Sequence, residues 1–276
     1  MPLSSPTLFI VATPLGNPGD MSPRAREVLA EADLILAEDT RRAGLLFQRL
    51  GLERHGRLIS FFEHNEDKKL PKVLDQLLAG NDVALISDAG TPLLSDPGFT
   101  LVRACREQSI AVRPVPGPSA PVTALCASGL PPLPYTFLGF LPRKKTQTEK
   151  LFRAHGETGA TLIFFERKDR LKGTLAIAGE MLGPRDFCVA RELTKEYEEF
   201  LYGRLGELEG FDFELRGELT VIIGPGSGTG EADETEILHL IEEESAEGGK
   251  PKEIARRVAE RVEGWTAKDV YSLMRD

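Results

Sequence analysis

Between residues 8 and 129 the chain alternates five times between a short apolar run and a stretch whose apolar positions recur at helical spacing. The runs cover residues 8–12, 34–37, 58–62, 83–87 and 111–115, and they are mostly apolar, with Ser60, Ser87, Arg113 and Pro114 the exceptions. Continuous rather than alternating hydrophobicity marks strands buried on both faces. Between the runs, Ser22-Pro23 offers an N-cap followed by a first-turn proline. A helix over 42–50 stops at Gly51, one over 70–79 closes at Gly80, and others cover 98–108 and 122–127. Repeated β–α alternation of this kind predicts an α/β domain over residues 1–130, a parallel sheet covered on both faces by helices.

The pattern breaks at Leu130-Pro131-Pro132-Leu133-Pro134, because three prolines in five residues suit neither helix nor ladder. A second α/β domain is expected over 135–226, with strands at 135–141, 161–165, 187–191, 198–202 and 218–223 and helices at 148–154 and 169–182. The short spacing of its last two strands predicts a mixed, partly antiparallel sheet. After the linker-like stretch Gly224-Pro225-Gly226-Ser227-Gly228-Thr229-Gly230, residues 231–276 read as a helical C-terminal region. Residues 231–247 carry eight acids and no base, whereas 250–275 carry seven bases against four acids. Gly264 and Thr266 there separate two helical patterns, which fits a helix-turn-helix and, more readily, a plain helical hairpin.

In an open parallel sheet, ligands sit beyond the carboxyl ends of the strands. Polar, turn-forming residues gather at all five such ends: Ala12-Thr13-Pro14-Leu15-Gly16-Asn17, Glu38-Asp39-Thr40-Arg41, Glu63-His64-Asn65-Glu66, Ser87-Asp88-Ala89-Gly90-Thr91-Pro92 with Asp96-Pro97-Gly98, and Pro116-Gly117-Pro118-Ser119-Ala120. Five such loops on one edge predict a lined cleft. A dinucleotide fingerprint is missing, since only Gly16 and Gly19 occur in the first loop. Glu38 nevertheless stands about where a ribose-binding acid would, which leaves a nicotinamide enzyme as the weakest alternative. In the fourth loop Ala89 and Gly90 allow close backbone approach, Thr91 adds a hydroxyl and Asp88 an anionic acceptor, a set suited to a small zwitterion. The plainer reading of the same residues is a turn capped by Asp88.

Composition narrows the partners. The 276-residue chain has a formal net charge of -9, which argues against coating nucleic acid by bulk charge. Three cysteines, Cys105, Cys126 and Cys188, lack metal or disulfide spacing and read as buried, reduced thiols. No metal site is expected. No apolar run reaches the length of a membrane span, and the N-terminus lacks a signal-peptide pattern, so a cytoplasmic protein without membrane contact is expected.

The five loop motifs together resemble the tetrapyrrole-methylase superfamily, and more closely its ribosomal RNA small-subunit methyltransferase branch. Leu138-Gly139-Phe140-Leu141-Pro142, Phe164-Phe165-Glu166 and Ala190-Arg191-Glu192-Leu193-Thr194-Lys195 resemble the same branch in the second half. Gly90-Thr91-Pro92 replaces the Gly-Asp-Pro of precorrin methylases, which speaks against a tetrapyrrole substrate. The resemblance implies two α/β domains with S-adenosylmethionine bent in the cleft between them, and a homodimer. It also implies 2′-O-methylation of a cytidine ribose in the decoding region of 16S rRNA, within the small ribosomal subunit. Carried over motif by motif, Leu15, Asp88, Ala89, Gly90, Thr91, Leu94, Ser119, Ala120, Phe165, Glu166 and Leu193 are the expected cofactor-facing residues.

Losing the 2′-hydroxyl proton during attack would help the transfer. Candidate bases are Glu38, Asp39, Asp88 and His64, with Asp39 and Glu38 ranked first because they end a strand beside the expected cofactor loop. Arg41 is expected either to hold a phosphate or to favour an ionised neighbour, a structural Glu38–Arg41 ion pair being the competing role. His64 is read equally as a substrate contact and as a loop-ordering or capping residue. RNA contact needs local positive charge, for which Arg143-Lys144-Lys145 with Lys150 and Arg153, the group Arg167, Lys168, Arg170 and Lys172, and the tail's Arg256, Arg257, Arg261 and Lys268 are the candidates. Remaining rivals are a precorrin-type methylase and a non-catalytic RNA-binding module.

Overall fold

The computed structural model describes residues 6–213, 216–226, 234–246, 248–262 and 264–274. Among them lie two five-stranded sheets and ten α-helices, in two compact units. The first unit comprises Met1–Ala127 with Ala190–Glu199, the second Ser128–Val189 with Phe200–Asp276. Most of the linker-like stretch at 224–230 falls outside the described residues.

In the first unit β1 (Thr7–Val11), α1 (Pro23–Glu31), β2 (Leu34–Ala37), α2 (Thr40–Leu50), β3 (Arg57–Ser60), α3 (Glu66–Leu78), β4 (Val83–Ile86), α4 (Phe99–Glu107), β5 (Ala111–Val115) and α5 (Ala120–Ala127) alternate as expected. The sheet order is β3-β2-β4-β1-β5, and the registered pairs are parallel. Because side chains alternate across a strand, each strand feeds two cores. Phe9, Val11, Ile35 and Ala37 pack with Ala25, Leu29 and Phe47 of α1 and α2. Leu8, Leu34, Leu36 and Leu85 pack with Val73, Leu77, Leu101 and Cys105 of α3 and α4. The chain leaves β1 toward β2 and leaves the neighbouring β4 toward β5, in opposite directions across the sheet. That crossing is a topological switch point, where the strand ends open a crevice.

Caps set the helix starts. Ser22 Oγ accepts the Ala25 N–H, and Asp39 accepts the Arg41 N–H at the head of α2. Gly51 ends α2 at φ 58°, as expected of its left-handed position. α3 begins earlier than its apolar spacing suggested, at Glu66, and carries Pro71 within it. In its first turn the buried Glu66 carboxylate takes the N–H groups of Gly98 and Leu101 at 3.3 and 3.2 Å and so caps α4 from another helix. Replacing Glu66 by alanine leaves those N–H groups unpaired and is expected to cost about 2 kcal/mol, read as a lower denaturation midpoint with an unchanged slope.

The second unit holds β6 (Tyr135–Phe140), α6 (Lys145–Gly156), β7 (Thr161–Glu166), α7 (Lys168–Leu182), β8 (Asp186–Arg191), β9 (Glu199–Arg204) and β10 (Leu219–Ile223). The order is β6-β7-β10-β8-β9, with β6 parallel and β10 antiparallel to β7. The sheet is mixed, as expected, but β10 does not form a hairpin with β9. It inserts between β7 and β8, because its five buried residues need cover on both faces, which a central position supplies.

The tail forms α8 (Glu234–Ala246), α9 (Pro251–Arg261) and α10 (Ala267–Leu273) around Ile237, Ile254, Val258 and Val270. Thr266 caps α10, its Oγ1 accepting the Asp269 N–H. Among the described residues, several opposite charges of this region are matched internally. Glu244 takes Arg257 at 2.5 Å and Arg261 at 2.7 Å, and Arg256 pairs with Glu260. Arg256, Arg257 and Arg261 are therefore not the free RNA-facing patch their spacing suggested. Cys105 and Cys188 are buried, and burial pushes both thiols up to about 11. Cys126, expected to be buried, is exposed near the end of α5. No helix among the described residues is long and apolar enough to cross a membrane.

Candidate active site

The loops after β1, β4 and β5 are stitched together by main-chain bonds. Thr13 and Gly90 exchange both backbone hydrogen bonds, at 2.9 and 3.0 Å. The Ala12 N–H reaches the Val115 carbonyl, and the Thr91 hydroxyl donates to the Pro118 carbonyl at 3.0 Å. Gly90 sits at φ 81°, and a Cβ there would come within 3.2 Å of Leu15 Cδ2. The position therefore needs glycine both for its backbone and for its bare face toward Leu15.

The segment Ala190–Glu199 completes this wall. The Asn17 N–H donates to Thr194 Oγ1 at 3.1 Å, and a Cβ on Gly16 would lie 2.2 Å from Lys195 Cγ. Leu193, buried, is thereby held against the β1 loop. Five described non-glycine residues have left-handed φ, and four of them, Leu93, Ser95, Glu192 and Thr194, lie in the β4 loop or in this segment. Each such residue carries conformational strain, which collects where ligands bind.

Three carboxylates stand together at the ends of β2 and β4. Glu38 takes a hydrogen bond from the Asp88 N–H; burial, and then the Asp88 charge, push its pKa up. Asp88 itself is anchored, accepting from the Asp39 N–H at 3.2 Å and from Arg42 at 3.0 Å. Asp96, half-buried and bonded to Ser87, is pushed up to about 7 by burial first and by the charges of Glu38 and Asp88 next. Asp39 differs. The Arg41 guanidinium grips both its oxygens, at 3.2 and 2.9 Å, and holds its carboxyl down to about 2. The ion pair considered between Glu38 and Arg41 is thus an Asp39–Arg41 pair, and Arg41 favours an ionised neighbour. A carboxylate with so low a pKa is a weak base.

Sequence alone does not mark Asp96 as a candidate. Its only signal is the Asp96-Pro97-Gly98 turn, and what distinguishes it is the approach of Glu38 and Asp88 from other strands. Because its folded pKa lies above the ordinary 3.8, its contribution to stability is full below about pH 4 and is lost as pH rises through about 7. The Asp96→Asn variant, which cannot ionise, is expected to gain on the parent between pH 5 and pH 8. After allowance for solvent screening the gain at pH 8 is about 1–2 kcal/mol, measured by chemical denaturation at each pH.

The other expected residues fall as follows. Ala89, Ser119 and Ala120 are half-buried on the same loops, and Leu94 is exposed. His64 is exposed, its ring edge-on to Phe62, while Asn65 rather than His64 orders the turn by accepting the Phe62 N–H. Phe165 and Glu166 belong to β7 of the second unit. The Glu166 carboxylate is buried and committed to Thr174, the Arg167 N–H and Arg170, so its side chain is a structural anchor for α7. Lys145 is tied to Glu180 at 3.1 Å and faces Glu149, whereas Arg143 and Lys144 are exposed. Among the described residues, no group of three or more His, Cys, Asp or Glu side chains could hold a metal ion.

Comparison with known proteins places this geometry. The model of the tetrapyrrole (corrin/porphyrin) methylase family matches residues 7–209. Ribosomal RNA small subunit methyltransferase I of Micromonospora olivasterospora is 43% identical over 98% of this chain and 87% of its own. The protein of the same name from Halalkalibacterium halodurans is 41% identical over 97% and 94%. Among solved structures, the methyltransferase CobJ matches with a TM-score of 0.61 at 20% identity, over 81% of this chain and 95% of its own. Uroporphyrin-III-C-methyltransferase from Thermus thermophilus matches with a TM-score of 0.57 at 21% identity, over 79% and 94%. At that identity the structures speak to the fold alone. The chain belongs to the tetrapyrrole (corrin/porphyrin) methylase family, within its ribosomal RNA small subunit methyltransferase I branch.

Proposed function

We propose that the chain is an S-adenosylmethionine-dependent methyltransferase acting on the 2′-hydroxyl of a cytidine ribose in the decoding region of 16S rRNA. Its substrate is the small ribosomal subunit, and it works as a cytoplasmic homodimer. One observation carries the reading. Three carboxylates line bare-backbone loops in a chain whose near full-length relatives are named ribosomal RNA small subunit methyltransferase I.

The donor set suits the cofactor's chemistry. A sulfonium and an ammonium are both cationic, and Glu38, Asp88 and Asp96 present acceptors to cations at one loop cluster. Leu15 packs over the bare face of Gly90, and Leu94 offers exposed apolar surface on the same β4 loop. Bound S-adenosylmethionine supplies an electrophilic methyl group on a sulfur that already leaves well. Most of the rate then comes from positioning the ribose hydroxyl in line. Glu38 is the base we assign, since burial raises its affinity for a proton and it is not committed to a cation as Asp39 is. Asp88, held by Arg42 and the Asp39 N–H, fixes the loop and keeps Glu38 oriented through its own N–H.

Mass spectrometry of ribosomal RNA from a strain lacking this protein tests the assignment. Loss of one ribose methyl group on a decoding-region cytidine is expected; an unchanged methylation map overturns it.

A further inference from the structure

Within the second unit, a cleft of about 580 Å³ is lined by Phe140, Leu141, Arg143, Arg167, Asp169 and Arg170. It forms where β6 and β7 end and α7 begins. Phe140 is 58% exposed although it is a large apolar side chain, and its ring rests on Phe165 at 5.3 Å, which in turn packs on Phe137 at 5.0 Å. An aromatic ring backed by a second, itself packed on a third, presents a rigid, open face. Arg170 is committed, its guanidinium bonded to the Leu141 and Pro142 carbonyls and paired with the buried Glu166. That pairing locks the loop carrying Arg143. Arg143 and Arg167 themselves are exposed and make no side-chain hydrogen bond or ion pair among the described residues.

These features narrow the occupant. With Arg170 neutralised by Glu166, two free guanidiniums stand against the single carboxylate of Asp169, so the cleft is locally cationic on a chain of net charge -9. Unpaired arginines in an acidic protein mark a site for an anion. A bare phosphate would not use the aromatic face, and it would be repelled by Asp169. A nucleotide uses all three: a ring to stack, a phosphate for the arginines, and a base edge whose amino group Asp169 can accept. Bases within a duplex are already stacked, so the fit is to a single strand.

We propose that this cleft holds one unstacked nucleotide of single-stranded RNA, its base on the Phe140 ring and its phosphate between Arg143 and Arg167. The proposal rests on the RNA substrate argued above and assigns one of its contacts to Phe140 and Arg167, the first of which charge patterning alone cannot reveal.

The test uses the full-length protein, a fluorescent single-stranded RNA 8-mer and a duplex of equal length, with S-adenosylmethionine titrated in parallel. Phe140→Leu is expected to weaken 8-mer binding by roughly 5- to 100-fold. It should leave the salt dependence, the duplex affinity and cofactor binding unchanged. The double variant Arg143→Gln/Arg167→Gln is expected to reduce the slope of log affinity against log salt by about 0.7 for each phosphate no longer neutralised. Thermal melts confirm that each variant folds. Binding of the 8-mer that neither change affects overturns the inference, as does unaltered methylation of small subunits by both variants. Either result leaves the proposed function standing. Failure of the unaltered protein to methylate small subunits overturns the proposed function instead.

Discussion

The Glu38→Gln variant is expected to transfer methyl groups to small ribosomal subunits about 10²- to 10⁴-fold more slowly than the parent, the range for losing a positioned base. Glutamine keeps the size and can still accept the Asp88 N–H, so the loop is retained while the proton acceptor is removed. In the parent, activity should fall on the acid side at a pH above the ordinary carboxylate range, because burial and the neighbouring Asp88 charge raise the Glu38 pKa. That limb should vanish in the variant. Asp39→Asn supplies the contrast. Asp39 is already held ionised by Arg41 and caps α2, a role asparagine also fills, so this change should cost little activity. Equal losses in the two variants would remove Glu38 from its assigned role.

The largest structural effect is expected at Gly98. Its φ of 121° is open only to glycine, and a Cβ there would lie 2.4 Å from Leu85 Cδ2. Its N–H is also one of the two that Glu66 holds. Alanine would therefore add backbone strain and overpack the core under β4, together costing about 3 kcal/mol or more. At about 2–4 °C per kcal/mol, the melting temperature of the first unit should fall by roughly 6–12 °C. Since Gly98 terminates the loop that carries Asp96, the raised proton affinity of Asp96 should fall with it. A melting temperature within a degree of the parent would show that this loop tolerates displacement.

How far these features can be read without coordinates depends on whether their cause is local. The runs that became β1, β2 and β4 are continuously apolar up to the terminal Ser87 and lie buried in the middle of the sheet, whereas those of β3 and β5, interrupted by Ser60, Arg113 and Pro114, take its partly exposed edges. Ser22, Gly51 and Thr266 behaved as caps, since a cap needs only its own turn. Long-range pairings were invisible. Glu66 serves α4 rather than its own helix, β10 inserts between β7 and β8, and Arg257 with Arg261 turns inward to Glu244. The same holds at the site. Its loops were evident from turn residues at five strand ends, but the division of labour between Glu38, Asp39 and Asp96 follows from which cation or carboxylate each meets in space.

Calorimetric titration of the protein with S-adenosylmethionine, repeated on Gly90→Val, probes the assignment of the first unit's loops most directly. One binding event is expected in the parent and its loss or severe weakening in the variant, whose side chain would force a left-handed residue against Leu15. Absence of binding in a folded parent, or equal binding in both proteins, would contradict it.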